Sequence, residues 1–489
     1  ASPVAPAADP DVLGRLGEAL RSLGFTENGV AAALQMSAGT PIGSVDRAVH
    51  ARRLTGSDAL STMVRLVVLG AGLPIDEVAA AIAPVTPEEM VACELLACDA
   101  GVVRATVRIT PYDGLLLAHD AESNGNLDRA HVGGVSPAAR TLACLTFPAA
   151  GRRALDVGTG CGVQALVAAR CVAEVVAVDV NPRALRFTEV NAALNGVPNV
   201  ECRLGSLYEP VMGEQFDLVV SNPPFVVSPD SDYTFRDSGM EGDAMSRAVV
   251  VGAASVLAPG GTAHVLCNWV QGGAAADPPV AGWVEGSGCD VLLLHYETVD
   301  PLTYACRWAL SDSGSTDDTD SRLDRWLEYY RSNGIAAIGL GAVVLRRASA
   351  PSCWARTFKM TSAPSGLAHD QLNRMMEAAD QAAVVGEDAV VLASVFSLVD
   401  GHRLNQSLLY GDGRYATATS TLTLDEGVGL TGDVDSVALH VFLRIDGRRT
   451  LEELIDEAAE ETGVDRDELS RAALEAVRRL FELGFLVRS

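Results

Sequence analysis

The chain has 489 residues, 48% apolar and 20% charged, enough for two or three domains with sizeable cores and too apolar for general disorder. Its formal charge of −26, from 63 acidic against 37 basic side chains with Lys359 the only lysine, disfavours nucleic acid as a partner by opposing a broad grip on a phosphate backbone. Ten cysteines stand singly, with no CxxC pair and no Cys/His cluster at zinc spacing, so no metal is expected. No run of about 18 apolar residues offers a membrane span. The small, Pro-rich start, Ala1 to Pro10, lacks the layout of a signal peptide. The expectation is a soluble protein of the reducing cytoplasm.

In chain order, apolar residues at helical spacing (Leu13, Leu16, Leu20, Leu23) predict helix within 11–36, broken near Gly24. Helices are expected over Ala59–Leu69, Ile75–Ile82 and Pro87–Ala97, then an alternating strand over Val102–Ile109. Residues 1–110 therefore read as a helical or winged-helix-like unit. From about residue 150, strand, Gly-rich turn and helix alternate. Strands are expected at Ala154–Val157, Glu174–Val178, Val200–Leu204 and Phe216–Val220. Between them lie helices Val163–Cys171 and Pro182–Leu194, the second with proline in its first turn. Helix Ala244–Leu257 ends at the Pro259-Gly260-Gly261 turn, and strands follow at Thr262–Cys267, Val291–Glu297 and Ala336–Leu345. The acidic stretch Ser311–Ser321 reads as a surface loop ahead of a helix bearing Trp326 and Tyr330. This alternation predicts an α/β, doubly wound sheet with helices on both faces. Periodicity fades from about 350 to 437 and sharpens again in the tail, with Leu474, Val477, Leu480 and Phe481 on one helix.

Two motifs carry the chemistry. In ALDVGTGCG (Ala154–Gly162) a strand enters a turn with glycines at 158, 160 and 162 and then opens a helix. Glycine allows positive φ there and a close backbone approach to a ligand. Asp179 ends the next strand, where a carboxylate can accept both ribose hydroxyls of an adenosine. Such a turn suits a dinucleotide as well, but two features favour S-adenosylmethionine over NAD. Asp156 precedes the glycines, where a carboxylate suits a positive amino-acid and sulfonium end and opposes a pyrophosphate. The turn also reads GTGCG rather than GxGxxG.

The second motif, SNPPF (Ser221–Phe225), directly follows a strand. Two prolines fix a rigid, extended exit at the carboxyl edge of the sheet, where ligands bind in open α/β folds. The Asn222 oxygen and the Pro223 carbonyl can hold both hydrogens of a planar NH₂ group, directing its lone pair at an electrophilic methyl. Phe225 offers a face for a planar amide or base.

With both motifs in place, the chain resembles class I S-adenosylmethionine-dependent methyltransferases of the "small domain" type. That group includes release-factor glutamine methyltransferases and enzymes that methylate amino groups of ribosomal RNA, transfer RNA and DNA adenine. The resemblance covers about 110–348 and implies a seven-stranded Rossmann-like core over 111–348. It places Asp156, Gly158, Thr159 and Gly160 along the methionine part of the cofactor, Asp179 on the ribose, and Val180, Asn181, Gly205, Ser206 and Leu207 near the adenine. Asn222, Pro223, Pro224 and Phe225 would hold the target nitrogen, with Asn222 also beside the cofactor. Where the family usually has an acid for the adenine amine, this chain has Ser206. HVGGVSP (His131–Pro137) resembles the family's pre-motif, which closes over the cofactor; Asn191 matches its helix pattern. After SNPPF, Tyr233, Arg236, Asp237, Gly239 and Arg247 read as a substrate loop or a solvated connection.

The expected activity is methylation of an amide or amino nitrogen of a protein, peptide or small molecule; the alternative is an exocyclic base amine in RNA or DNA. Residues 349–489 read as an α+β accessory domain whose tail, 438–489, is winged-helix-like. That tail (IDGRRTLEELI, LFELGFLV) resembles small domains that grip leader peptides in peptide natural-product enzymes. Nothing in the sequence fixes the oligomeric state.

Overall fold

The computed structural model describes residues 6–37, 39–40, 44–54, 56–121, 128–146, 153–230, 234–273, 277–309, 316–348, 353–411 and 413–489. The chain divides into two compact units. The larger takes in 1–142, 148–290 and 298–353; the smaller takes in 143–147, 291–297 and 354–489.

In the larger unit an N-terminal group of helices precedes the sheet. Its first helix, Pro10–Ser22, is capped by Asp9, whose side chain accepts from the Asp11 and Val12 N–H groups; Leu13, Leu16 and Leu20 are fully buried. The helix expected over Pro87–Ala97 stops at Ala92, because Glu94 is left-handed (φ +58°) and turns the chain into strand Leu96–Asp99. The single strand expected over Val102–Ile109 is two, Val102–Ala105 and Val107–Tyr112. Between them Thr106 donates its N–H to the Leu95 carbonyl. The second pairs antiparallel with Leu115–Asp120.

The central sheet uses β1 (Arg153–Val157), β2 (Glu174–Asp179), β3 (Val200–Leu204), β4 (Phe216–Ser221), β5 (Leu257–Gln271), β6 (Cys289–Val299), β7 (Ala337–Arg347) and β8 (Ala355–Lys359). The strands lie in the order β8-β6-β7-β5-β4-β1-β2-β3. β3, β2, β1, β4 and β5 run parallel, and β7 is antiparallel to β5. The seven strands expected over 111–348 are β1–β7, and an eighth comes from beyond that range. Ala355–Lys359, in a stretch without clear periodicity, adds a parallel strand beside β6.

Helices α1 (Val163–Ala168), α2 (Pro182–Leu194), α3 (Ala244–Val256), α4 (Pro301–Ala309) and α5 (Thr316–Ser332) accompany these strands. α5 begins inside the stretch expected to be a loop, and 310–315 lies outside the described residues. The Pro-Gly-Gly turn lies within β5 as a register shift between Leu257 and Thr262.

In the smaller unit, helix Ala368–Asp380 and the long hairpin His402–Gly411/Arg414–Leu424 fill the stretch with faded periodicity. Its tail helices are Leu451–Thr462, with a Thr450/Glu453 capping box, and Arg466–Glu482. Strand Leu486–Arg488 pairs with Phe396–Leu398. Among the described residues no helix is long and apolar enough to cross a membrane.

Candidate active site

Local hydrogen bonds build the glycine turn. The N–H groups of Gly158 and Thr159 both donate to the Val178 carbonyl (2.8 and 3.1 Å), pinning the turn to β2. Gly158 and Gly160 hold φ of +77° and +57°, values that strain any other residue. Beneath them the Asp156 Oδ2 accepts from the Thr159 hydroxyl (2.8 Å) and the Ala165 N–H (3.0 Å), so it caps the first turn of α1. Asp156 Oδ1 is buried without a hydrogen-bond partner, and burial pushes this carboxyl up to about 7. Asp179 accepts from the Gly160 N–H (3.0 Å) and the Asn181 N–H (2.9 Å), one on each oxygen. Burial raises its pKa as well, and each oxygen keeps a lone pair for another donor.

These elements surround a cavity of about 320 Å³, within the range of small-molecule sites. Every residue expected to bind the cofactor or hold the target nitrogen lines it except Asp156 and Phe225. Asp156 is held under the turn by its two capping bonds. Phe225 swings away because the chain after Pro224 runs into an apolar cluster containing Val226, Val227, Tyr304, Trp326 and Tyr330, against which its ring packs. Phe235 lines the cavity, its ring 5.8 Å from that of His131. Gln164 and Met245 also line it and carried no sequence signal. Leu207 has φ +50°, a strained backbone of the kind found at binding sites.

The Asn222 side of the cavity is held from farther along the chain. The Ser221 hydroxyl donates to the Val157 carbonyl (2.7 Å), tying the SNPPF strand to β1. Among the described residues the Asn222 amide has no hydrogen-bond partner, which leaves it free for a ligand. Downstream, the Tyr304 hydroxyl accepts from the Val227 N–H (3.2 Å) and from Asn268 Nδ2 (2.7 Å), and the Tyr330 hydroxyl donates to the Val227 carbonyl (2.8 Å). Three residues further on, buried Asp230 receives Trp326 Nε1 (2.8 Å), Arg322 (3.1 Å) and Arg325. α4 and α5 therefore grip the segment leaving the motif. Of the expected substrate loop, Tyr233 lies outside the described residues, and Arg236 and Asp237 form a buried ion pair (3.1 Å).

The His131–Pro137 loop borders the cavity and is anchored by Asp120, which accepts from the Val132 N–H (2.8 Å) and from Arg183 Nε (3.0 Å). Asn191 joins three elements. It pairs with both backbone groups of Ala118 (2.6 and 2.9 Å) and donates to the Cys161 carbonyl of the turn (2.8 Å). A second cleft of about 470 Å³ shares His131, Gly133, Gly134 and Phe235 with the cavity and is also lined by Arg47, Arg108 and Arg140.

The cavity suits S-adenosylmethionine. A Cβ on Gly158 or Gly160 would meet nothing within 4 Å, so only glycine leaves that wall open for a ligand to lie against the backbone. Gln164 Oε1 is an orphaned buried acceptor on the same wall, and Asp179 stands at the end of β2 with lone pairs to spare. The parallel sheet, the glycine turn, Asp179 and Asn222-Pro223-Pro224 define a class I S-adenosylmethionine-dependent methyltransferase domain.

Residues 133–275 match the methyltransferase small domain family. Residues 22–106 match a domain of unknown function (DUF7059), and 423–486 match coenzyme PQQ synthesis protein D (PqqD). The release factor glutamine methyltransferase of Xylella fastidiosa is 38% identical over 135 residues, 25% of this chain and 49% of that one. That of Deinococcus radiodurans is 41% identical over 121 residues, 22% of this chain and 43% of that one. The chain thus spans about half the length, or less, of these relatives. A methyltransferase from Pyrococcus furiosus of known structure is 18% identical with a TM-score of 0.28, covering 47% of this chain and 89% of that one.

Proposed function

We propose that this protein transfers a methyl group from S-adenosylmethionine to the amide nitrogen of a glutamine-like group on a protein or peptide. The observation that carries the reading is the free Asn222 amide, presented with Pro223 and Pro224 on the same cavity as the glycine turn and Asp179. An acceptor side chain beside an adjacent carbonyl holds both hydrogens of a planar NH₂, and the relatives named above act on glutamine. When bound, the cofactor supplies an electrophilic methyl on a sulfonium.

Asp179 would take the ribose hydroxyls, with the glycine turn against the methionine portion and Gly205, Ser206 and Leu207 around the adenine. Asn222 and the Pro223 carbonyl would orient the nitrogen lone pair, and the grip of Tyr304, Tyr330 and Asp230 keeps that geometry fixed. Orientation of this kind removes on the order of 7–11 kcal/mol of barrier. The proton leaves the nitrogen after transfer, so no strong base is required. The rest of the substrate would lie in the adjoining cleft. The N-terminal residues 1–110 would then help set specificity beside a core of 111–348, with 349–489 accessory.

The test is radiolabelled methyl transfer from S-adenosylmethionine into a lysate, followed by protease or nuclease digestion. Label lost with protease and recovered as methylated glutamine is the expected result. Label lost only with nuclease would replace this reading with methylation of a base amine.

A further inference from the structure

Gln164, the second residue of α1, is 4% exposed and lines the cavity. Its Nε2 donates to the Ala139 carbonyl (2.8 Å), on the helix Pro137–Leu145 that follows the His131–Pro137 loop. That bond fixes the amide plane and leaves Oε1 buried without a partner, a state proteins rarely leave unexplained. Along the sheet edge the order β3-β2-β1-β4 sets the adenosine side at β2 and β3 and Asn222 after β4. Gln164 follows β1, between the ribose carboxylate and the target nitrogen, where the methionine portion has to run.

We propose that Gln164 Oε1 is the acceptor for the ammonium group of the cofactor's methionine portion, a positioning role that rests on the cofactor reading above. An amide oxygen with its NH₂ already committed can only accept. On that portion the carboxylate is itself an acceptor and the sulfonium has no hydrogen to give, so the ammonium is the one matching donor. Asp156, the acid expected to face this end, has Oδ2 committed to Thr159 and Ala165 and does not line the cavity. A neutral acceptor also avoids a third carboxylate beside Asp156 and Asp179, which already repel each other.

The test compares two probes by calorimetry: S-adenosylhomocysteine, which carries the amino-acid portion, and methylthioadenosine, which lacks it. Gln164→Leu should weaken S-adenosylhomocysteine about tenfold or more, the usual range for a hydrogen bond to a charged group. Methylthioadenosine affinity should stay within about twofold, which also reports that the site is folded. Gln164→Met, which keeps the side-chain length, should behave the same way and serves if the leucine variant does not fold. Unchanged S-adenosylhomocysteine affinity overturns the assignment. Equal weakening of both probes overturns it too, since Gln164 would then only brace the site through Ala139. Wild-type protein that binds neither probe overturns the cofactor reading, and this inference with it.

Discussion

The two walls of the cavity are rigid for opposite reasons. The wall proposed to hold the cofactor is stapled within a short stretch of chain, by Asp156 with Thr159 and Ala165 and by Asp179 with Gly160 and Asn181. The wall proposed to face the target leans on residues about 80–100 positions away, namely Tyr304, Trp326 and Tyr330. One wall can be altered through its own motif, and the other can be loosened from a distant helix pair without touching the motif. On the proposed function, a single site therefore has two separable failure modes, loss of cofactor affinity and loss of aim.

The largest effect is expected on the target wall. Asn222→Ala should lower methyl transfer by about 10²–10³-fold, as for loss of a positioned polar group, while leaving S-adenosylhomocysteine affinity within about twofold. Transfer that survives this change would break the division of labour. On the cofactor wall, Asp179→Ala removes the proposed ribose acceptors and should weaken S-adenosylhomocysteine about 100-fold by calorimetry.

A smaller change sharpens the contrast. Tyr304→Phe strips the Val227 N–H and Asn268 Nδ2 of their buried partner and should cost about 1–3 kcal/mol of stability in denaturant unfolding. It should slow transfer about tenfold with cofactor affinity unchanged; an equal loss of affinity would show that the walls are one unit.

The smallest effect concerns pH. Because burial raises Asp156 from 3.8 to about 7, the folded state holds its proton over that interval and the unfolded chain does not. The stabilisation is full below the unfolded value and lost as pH rises through about 7. In the ligand-free protein, Asp156→Asn should flatten this part of the melting temperature against pH, a change of a few degrees; an unaltered profile would mean that the carboxyl titrates normally.

How much of this was legible follows from the same contrast. β2 and α2 stand close to where the pattern put them, Glu174–Asp179 against an expected Glu174–Val178 and Pro182–Leu194 as expected, because a continuous apolar run and a proline start are local signals. The glycine turn and Asn222-Pro223-Pro224 were legible because backbone conformation restricts which residues fit. The place of Phe225 was not, since its ring is drawn to the distant Tyr304–Tyr330 cluster. Gln164 gave no signal because its meaning comes from Ala139, 25 residues earlier. The hairpin strands His402–Gly411 and Arg414–Leu424 escaped notice because Ser420 and Leu422 are their only buried residues, too short a buried face to set a period.

Asn191 gives the N-terminal hairpin a mechanical stake in the glycine turn. One amide closes on both backbone groups of Ala118 and on the Cys161 carbonyl, so any ligand that stills the turn also stills the strand Leu115–Asp120. Occupancy should therefore be readable at a distance as slower hydrogen exchange of the Ala118 amide, making that strand a built-in reporter of whether the site is filled.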